Sequence, residues 1–250
     1  MKNKLKKKLM AGAQTLGVWM SIPSPDVTLA LSNLGFDWFV YDNEHSPLNE
    51  QITQNLMMVT RGTNVVPLIR VSWNDPVLIK RALDIGAYGL VIPWINTKEE
   101  AIKAVQACKY PPDGIRGVGP RVAAINDPEY LSTANEEVLV IVQIETAEAV
   151  ENVDDIFSVK GVDAFFIGPS DLSTSLGVMR QINDPKVVSA IIKIVAAGKR
   201  AGISSGIFCY GLDDAKKRLE QGFQFIAVGG DLRFLVDGAT FTLRGLDRIN

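Results

Sequence analysis

The chain holds one histidine and two cysteines in 250 residues, and no block of like charge beyond Lys2-Asn3-Lys4-Leu5-Lys6-Lys7-Lys8-Leu9. Cys108 and Cys209 lie far apart with no metal-type spacing, so neither a disulfide framework nor a thiolate metal site is expected, and two unpaired thiols suit a reducing cytoplasm. A net charge of −2 offers no footprint for nucleic acid or an anionic membrane. The lone basic run reads as a solvated first helix turn. No apolar stretch reaches the roughly 18–20 residues of a membrane span, and the N-terminus has charge but no apolar core or cleavage site of a secretory signal. Nucleotide fingerprints are missing too: no Gly-x-Gly-x-x-Gly follows the first strand, and there is no Walker A loop. A Gly-x-Ser-x-Gly elbow is absent, and no lysine ends an apolar strand, which argues against serine-elbow and Schiff-base chemistry; Lys109, the nearest lysine, falls at a helix end.

What the chain does have is regular. Hydrophobic residues make up 47% of it. Eight short apolar runs read as strands: Leu16–Met20, Trp38–Tyr41, Val66–Val71, Gly89–Pro93, Val138–Glu145, Asp163–Gly168, Ile203–Phe208 and Phe225–Gly229. Continuous apolar runs of this kind mark strands buried on both faces, as in a parallel sheet. Helical patterns fall between them, at 26–34, 49–61, 74–84, 97–109, 146–157, 184–201 and 212–221, several with an N-terminal signal such as Asn74-Asp75-Pro76 or the capping box begun by Thr97. Alternating strands and helices imply βαβ units, and eight of them predict an α/β fold, a (β/α)8 TIM barrel, as one domain over 1–250. An open doubly wound sheet is the runner-up. The longest irregular stretch runs from Pro111 to about Glu137.

The single histidine sits in Tyr41-Asp42-Asn43-Glu44-His45-Ser46-Pro47, directly after an apolar strand. An α/β barrel places its chemistry at the C-terminal ends of strands. Three other strands end in charge, at Arg70, Glu145 and Asp171. Glu145 and Asp171 are expected on neighbouring strands, where two carboxylates repel unless a proton or a cation lies between them. Two protein oxygens with open positions suit Mg²⁺ or Mn²⁺; a salt bridge to an arginine at the barrel rim is the other reading. Arg70 can grip a carboxylate and stabilise an enolate, or pair with Asp42 or Glu44. His45 is the natural base, oriented by Asp42, Glu44 or Asp84, unless it is a surface loop histidine. Gln143 and Glu145 share one side of a strand. Gly168-Pro169-Ser170 supplies tight backbone beside Asp171, suited to a substrate carboxylate.

These segments together resemble the HpcH/HpaI family of metal-dependent pyruvate aldolases, from about Gly17 to about Leu235. The resemblance rests on Gly35-Phe36-Asp37-Trp38, Asp42-x-Glu44-His45, Arg70-x-x-Trp73-Asn74-Asp75-Pro76, Tyr110-Pro111-Pro112-x-Gly114-Ile115-Arg116-Gly117-Val118-Gly119, Gln143-Ile144-Glu145-Thr146 and Gly168-Pro169-Ser170-Asp171-Leu172-Ser173. It implies a (β/α)8 barrel, a cytoplasmic homo-oligomer (a hexamer in the family), and reversible cleavage of a 4-hydroxy-2-oxo acid to pyruvate and an aldehyde. It also implies that Glu145 and Asp171 hold a divalent metal, Mg²⁺ or Mn²⁺ with Co²⁺ a further candidate. Gln143 and the backbone around Gly168, Pro169 and Ser170 would contact pyruvate. Arg70 would stabilise the enolate and His45 act through water as the base. Asp84, from a neighbouring subunit, would raise the basicity of that histidine, and Asp42 would support the network. Three departures stand out. Asn43 replaces a common glycine, which predicts a left-handed residue there. The connection after Gly119 is shorter than in dicarboxylate-cleaving members and is expected to face the aldehyde. The tail after Leu235 reads as short and less helical. Two rival functions remain: another metal-enolate carbon–carbon lyase of the acyl-CoA lyase or decarboxylase type, and a non-catalytic small-acid binder.

Overall fold

The structure, a computed structural model, describes residues 2–248. Its strands are β1 (Thr15–Met20), β2 (Trp38–Asp42), β3 (Val66–Arg70), β4 (Gly89–Ile92), β5 (Leu139–Ile144), β6 (Ala164–Ile167), β7 (Ser204–Phe208) and β8 (Phe225–Gly230). Each pairs in parallel with the next, and β8 closes onto β1, so the described residues form the expected (β/α)8 barrel. The eight apolar runs predict these strands to within a residue or two. Continuous apolar sequence follows from burial on two sides, since one set of side chains fills the barrel and the other meets the helices. The interior is packed by Trp38, Val40, Leu68, Ile141, Phe166 and Phe225, among others. Trp38 stacks on Phe225 at 3.9 Å between ring centroids. Gly17 makes this possible, because a Cβ there would sit 2.0 Å from the Trp38 ring.

The two-residue period sets up the functional end. Along β2 the interior takes Trp38 and Val40, so the next inward residue is Asp42; on β3 it takes Val66 and Leu68, then Arg70; on β5, Leu139 and Ile141, then Gln143. The register pairs Asp42 with Arg70 directly. The last inward layer is therefore polar, at the C-terminal ends of the strands. At the opposite end the helix Lys4–Met10 closes the barrel. It is not a solvated turn: Leu5 and Leu9 are buried and join the interior core, while the lysines lie around them.

Helices follow the strands and cover them. Asp75 caps the helix Pro76–Asp84, and Thr97 and Glu100 complete a capping box on Lys98–Cys108. The long pattern at 146–157 breaks at Asn152 into Ala147–Glu151 and Val153–Phe157. Two expectations need correction. The irregular stretch at 111–137 contains the helices Arg121–Asn126 and Tyr130–Glu137. The tail after Leu235 is helical, as part of the 15-residue helix Asp231–Gly245. No helix among the described residues is long and apolar enough to cross a membrane.

Candidate active site

A cleft of about 280 Å³ opens at the C-terminal end of the barrel, lined in part by His45, Arg70, Gln143, Gly168, Pro169, Ser170 and Asp171. Arg70 is its central cation. Its Nε and Nη2 donate to the two carboxylate oxygens of Asp42 at 2.9 and 2.7 Å, and its Nη1 lies 2.9 Å from Glu44. The Trp19 ring supports the guanidinium from one side, 5.2 Å away. Burial works against the charge on Arg70, but Asp42, Glu44 and Glu145 outweigh it and hold the group above its ordinary value. Asp42 also accepts from the backbone N–H groups of Glu44 and His45, which fixes the loop that carries the histidine. His45 itself is mostly exposed, and its Nε2 lies 3.7 Å from Glu44. Glu44 is thus the residue between the arginine and the histidine. Burial lifts its carboxyl to about 7, against Arg70, with Asp42 and Asp171 adding to the rise.

Glu145 follows β5 and is buried. Its Oε1 accepts the backbone N–H of Trp94 at 3.0 Å, and its Oε2 accepts the side-chain amide of Gln143, as their shared side of the chain predicts. Burial raises its carboxyl to about 7; the two hydrogen bonds oppose the shift, while Asp171 and Glu44 reinforce it. Asp171 does not end a strand. It lies in the first turn of the short helix Pro169–Ser175, which Gly168 precedes. Gly168 has negative φ, so its glycine is a matter of space: a Cβ would come within 2.9 Å of Glu145 Oε2 and 3.2 Å of Gln143 Nε2. Gln143 Oε1 is buried without a hydrogen-bond partner among the described residues.

These features fit a divalent cation. Glu145, Asp171 and Glu44 repel one another, and a carboxylate buried at Glu145 gains most from a positive charge. Glycine at 168 leaves room beside the Glu145 oxygen. No cluster of three or more His, Cys, Asp or Glu groups suited to a metal occurs among the described residues. A hard cation such as Mg²⁺ or Mn²⁺ accepts two carboxylates, with water or substrate oxygens in its other positions.

Two expected members lie elsewhere or differ. Asp84 is at the C-terminal end of Pro76–Asp84, where Arg116 donates to it at 2.7 Å; among the described residues it makes no contact with His45. Arg116 is buried against Tyr110 and Tyr130 and donates to the Tyr130 hydroxyl. Burial raises the Asp84 carboxyl, with Arg116 opposing. Asn43 is not among the residues with positive φ. It accepts from Thr53 Oγ1 at 2.8 Å and donates its N–H to the Arg70 carbonyl, so it pins the loop by its side chain rather than by an unusual backbone. The segment after Gly119 packs beside Pro76–Asp84 and contributes nothing to the lining of this chain's cleft among the described residues.

The HpcH/HpaI aldolase/citrate lyase model matches residues 15–238. The chain belongs to that family. A 5-keto-4-deoxy-D-glucarate aldolase of Escherichia fergusonii is 42% identical over 92% of this chain and 91% of its own length. A 4-hydroxy-2-oxo-heptane-1,7-dioate aldolase of Shigella flexneri is 40% identical over 96% and 91%. Among solved structures, an HpcH/HpaI aldolase/citrate lyase family protein from Burkholderia cenocepacia superposes with a TM-score of 0.95 at 36% identity, covering 98% of this chain and all of the other. The citrate synthase SbnG superposes at 0.88 with 29% identity, covering 98% and 97%. As a member of this family the protein is a carbon–carbon lyase of the aldolase kind. Trp19 and Tyr210 line the cleft and Trp94 donates to Glu145, and none of the three was among the expected site residues; Glu44, expected only as an alternative partner of His45 or Arg70, lies against both.

Proposed function

We propose that the protein catalyses the reversible, metal-dependent cleavage of a 4-hydroxy-2-oxo acid to pyruvate and an aldehyde. The carrying observation is the convergence of His45, Arg70, Gln143 and Asp171, from β2, β3, β5 and β6 or the segments that follow them, on one cleft, with Glu145 bonded to Gln143 beside it. Names of the curated relatives, both aldolases of deoxy or hydroxy oxo acids, support the same reading.

Glu145 and Asp171 would hold the divalent cation, Mg²⁺, Mn²⁺ or Co²⁺, which supplies Lewis acidity towards the 2-oxo acid. Gln143 and the backbone from Gly168 to Ser170 orient the carboxylate end of the substrate. His45, acting through water, takes the proton of the C4 hydroxyl. The C3–C4 bond then breaks, its electron pair passes into the C2 carbonyl to form the pyruvate enolate, and the aldehyde departs. A proton returned to C3 gives pyruvate. Arg70 has three nitrogens engaged by Asp42 and Glu44, and two further N–H groups of the guanidinium would meet the enolate oxygen. Asp42 and Glu44 hold that guanidinium in place.

Within one chain Asp84 pairs with Arg116, so its expected action on His45 requires a neighbouring subunit. The helix Asp231–Gly245 supports an oligomer, since Leu235, Val236 and Phe241 are exposed on it at 63%, 50% and 82%. We accordingly assign a homo-oligomer, a hexamer by family resemblance, built from one barrel domain per chain. Buried, unpaired Cys108 and Cys209 suit the cytoplasm. The solved citrate synthase relative supports a second reading, in which the same enolate site runs another carbon–carbon reaction.

The test is proton exchange. Chelator-treated protein is mixed with pyruvate in D₂O, and the methyl signal is followed by NMR with and without Mg²⁺ or Mn²⁺. Metal-dependent exchange that His45→Ala abolishes is expected. Exchange that persists in the presence of chelator would defeat the metal mechanism.

A further inference from the structure

We propose that Asp231 is a positioning residue for the enolate step: it clamps the end of β1 and so sets the Trp19 ring against the Arg70 guanidinium. The role given to Arg70 rests on the aldolase reading above; the clamp itself rests on geometry alone.

Asp231 follows β8 and opens the helix Asp231–Gly245. It is 2% exposed within a single chain, so its partners are complete before any neighbouring subunit arrives. Its Oδ1 accepts from the Ser21 hydroxyl at 2.8 Å and from the Leu232 N–H at 2.7 Å, and its Oδ2 accepts from the Ile22 N–H at 2.8 Å. The Ser21 N–H lies 3.0 and 2.9 Å from the two oxygens. All four donors are neutral. A buried carboxylate without a counter-cation is unfavourable, and here the donated hydrogen bonds and the N-terminus of its own helix offset that cost.

The register shows why a clamp stands at this place. β1 and β8 run in step from Thr15 opposite Phe225 to Gly17 opposite Ala227, but Trp19 lies opposite Gly230, so β8 carries one extra residue. Such a bulge interrupts the ladder and re-aims the chain that follows. Here it brings the Asp231 carboxylate onto Ser21 and Ile22, two and three residues past Trp19. Glycine at 230 allows the close approach, because a Cβ there would lie 3.4 Å from the Trp19 carbonyl oxygen. The ladder is thus broken beside a residue that lines the cleft, and Asp231 supplies bonds to β1 in its place.

What the clamp delivers is the ring. Trp19 stacks on Phe166 at 4.9 Å and meets Phe208 edge-on at 6.1 Å, with the Arg70 guanidinium 5.2 Å from its centroid. Asp42 and Glu44 hold Arg70 through its N–H groups, and the ring holds it by cation–π attraction, which weakens as the two move apart. The oxo acid's carboxylate belongs to Gln143 and the backbone from Gly168 to Ser170. The clamp therefore acts on the rate of enolate formation and not on the binding of pyruvate.

The experiment is a double-mutant cycle on the full chain. Asp231→Asn keeps the shape, but whichever way the amide turns, its NH₂ group faces donors. Trp19→Leu removes the cation–π contact. Pyruvate proton exchange in D₂O with Mn²⁺ gives a maximal rate and a half-saturating concentration for each variant and for the pair. Asp231→Asn should lower the maximal rate about tenfold and move the half-saturating concentration by less than about twofold. The double variant should be no slower than the slower single one, since both changes remove the same contact. Near-ultraviolet circular dichroism of the metal-free proteins supplies a second readout: the signal lost with Trp19→Leu should differ between the wild-type and Asp231→Asn backgrounds. Losses that multiply in the double variant, an unchanged rate in folded Asp231→Asn, or a Trp19 signal identical in both backgrounds would each overturn the proposal. If Asp231→Asn does not fold, Ser21→Ala, which removes one donor, takes its place. A drop of about twofold to threefold that disappears in the Trp19→Leu background supports the clamp, and an unchanged rate overturns it. No exchange by the wild-type protein would sink the aldolase reading, while the dichroism would still decide whether Asp231 sets the ring.

Discussion

At the bottom of the barrel, Asn3 gives its side-chain amide to the carbonyls of Tyr88 and Glu137, Lys6 reaches the Val138 carbonyl and Asp163, and Ser204 donates to the Leu9 carbonyl. At the top, Gln143 Oε1 has no hydrogen-bond partner among the described residues, and the carboxyls of Glu44 and Glu145 are pushed up to about 7. Both ends contain buried polar groups. Those at the bottom are satisfied, so they help specify and close the fold. Those at the top are in surplus, which costs stability in the free protein and is offset only when something binds. Polarity alone therefore does not mark a site; unmet polarity does.

That contrast can be broken from either end. Glu145→Gln should lower metal-dependent turnover by roughly 10²–10³-fold, on the scale of losing one electrostatic group aimed at the reacting atoms. The same substitution should leave the melting temperature of the chelated protein unchanged or higher, since it removes a buried charge; a marked drop would show that Glu145 is structural. Leu9→Ala should do the reverse. Emptying the bottom plug should cost about 3 kcal/mol in urea unfolding, while turnover per folded molecule holds.

The pH dependence of the metal-free protein sharpens the comparison further. Glu145 keeps its proton up to about 7 in the folded state and releases it near 4.5 when unfolded. Between these values the unfolded chain binds fewer protons, so stability falls as pH rises, with no such loss below about 4.5. Glu44 acts in the same direction. The melting temperature with chelator should be about 3–6 °C lower at pH 8 than at pH 5.5, and Mn²⁺ should recover more of it at pH 8, where the carboxylates are ionised. The smallest effect is expected at Asn43→Gly. Losing its bond from Thr53 and adding glycine's backbone freedom should cost about 1 kcal/mol, with little change in turnover, as the loop is also held by Asp42.

Much of this was legible in the sequence. Strands buried on two sides announce themselves as short apolar runs, and strict alternation placed Gln143 beside Glu145. Arg70, His45 and Asp171 declared themselves by ending or following such runs. What stayed hidden depends on distance along the chain. Asp84 pairs with Arg116, 32 residues on, and Glu44 takes its raised carboxyl first from burial. Local composition records neither. The helices Arg121–Asn126 and Tyr130–Glu137 have no side-chain cap among the described residues, so they lack the usual start signal. In Asp231–Gly245 only Asp231 is buried, so no core-facing stripe betrays the helix.

Trp94 sits at the rim with φ of 55°, a left-handed value rare for a large side chain, and its ring lies 6.3 Å from that of Trp73. Its bond to Glu145 comes from the main chain. Every amino acid but proline carries that N–H. The side chain at 94 can therefore drift or be redesigned, glycine suiting the backbone best, while the grip on the carboxylate is inherited unchanged. The mouth of the barrel can be recut for new substrates without re-inventing the anchor beneath it.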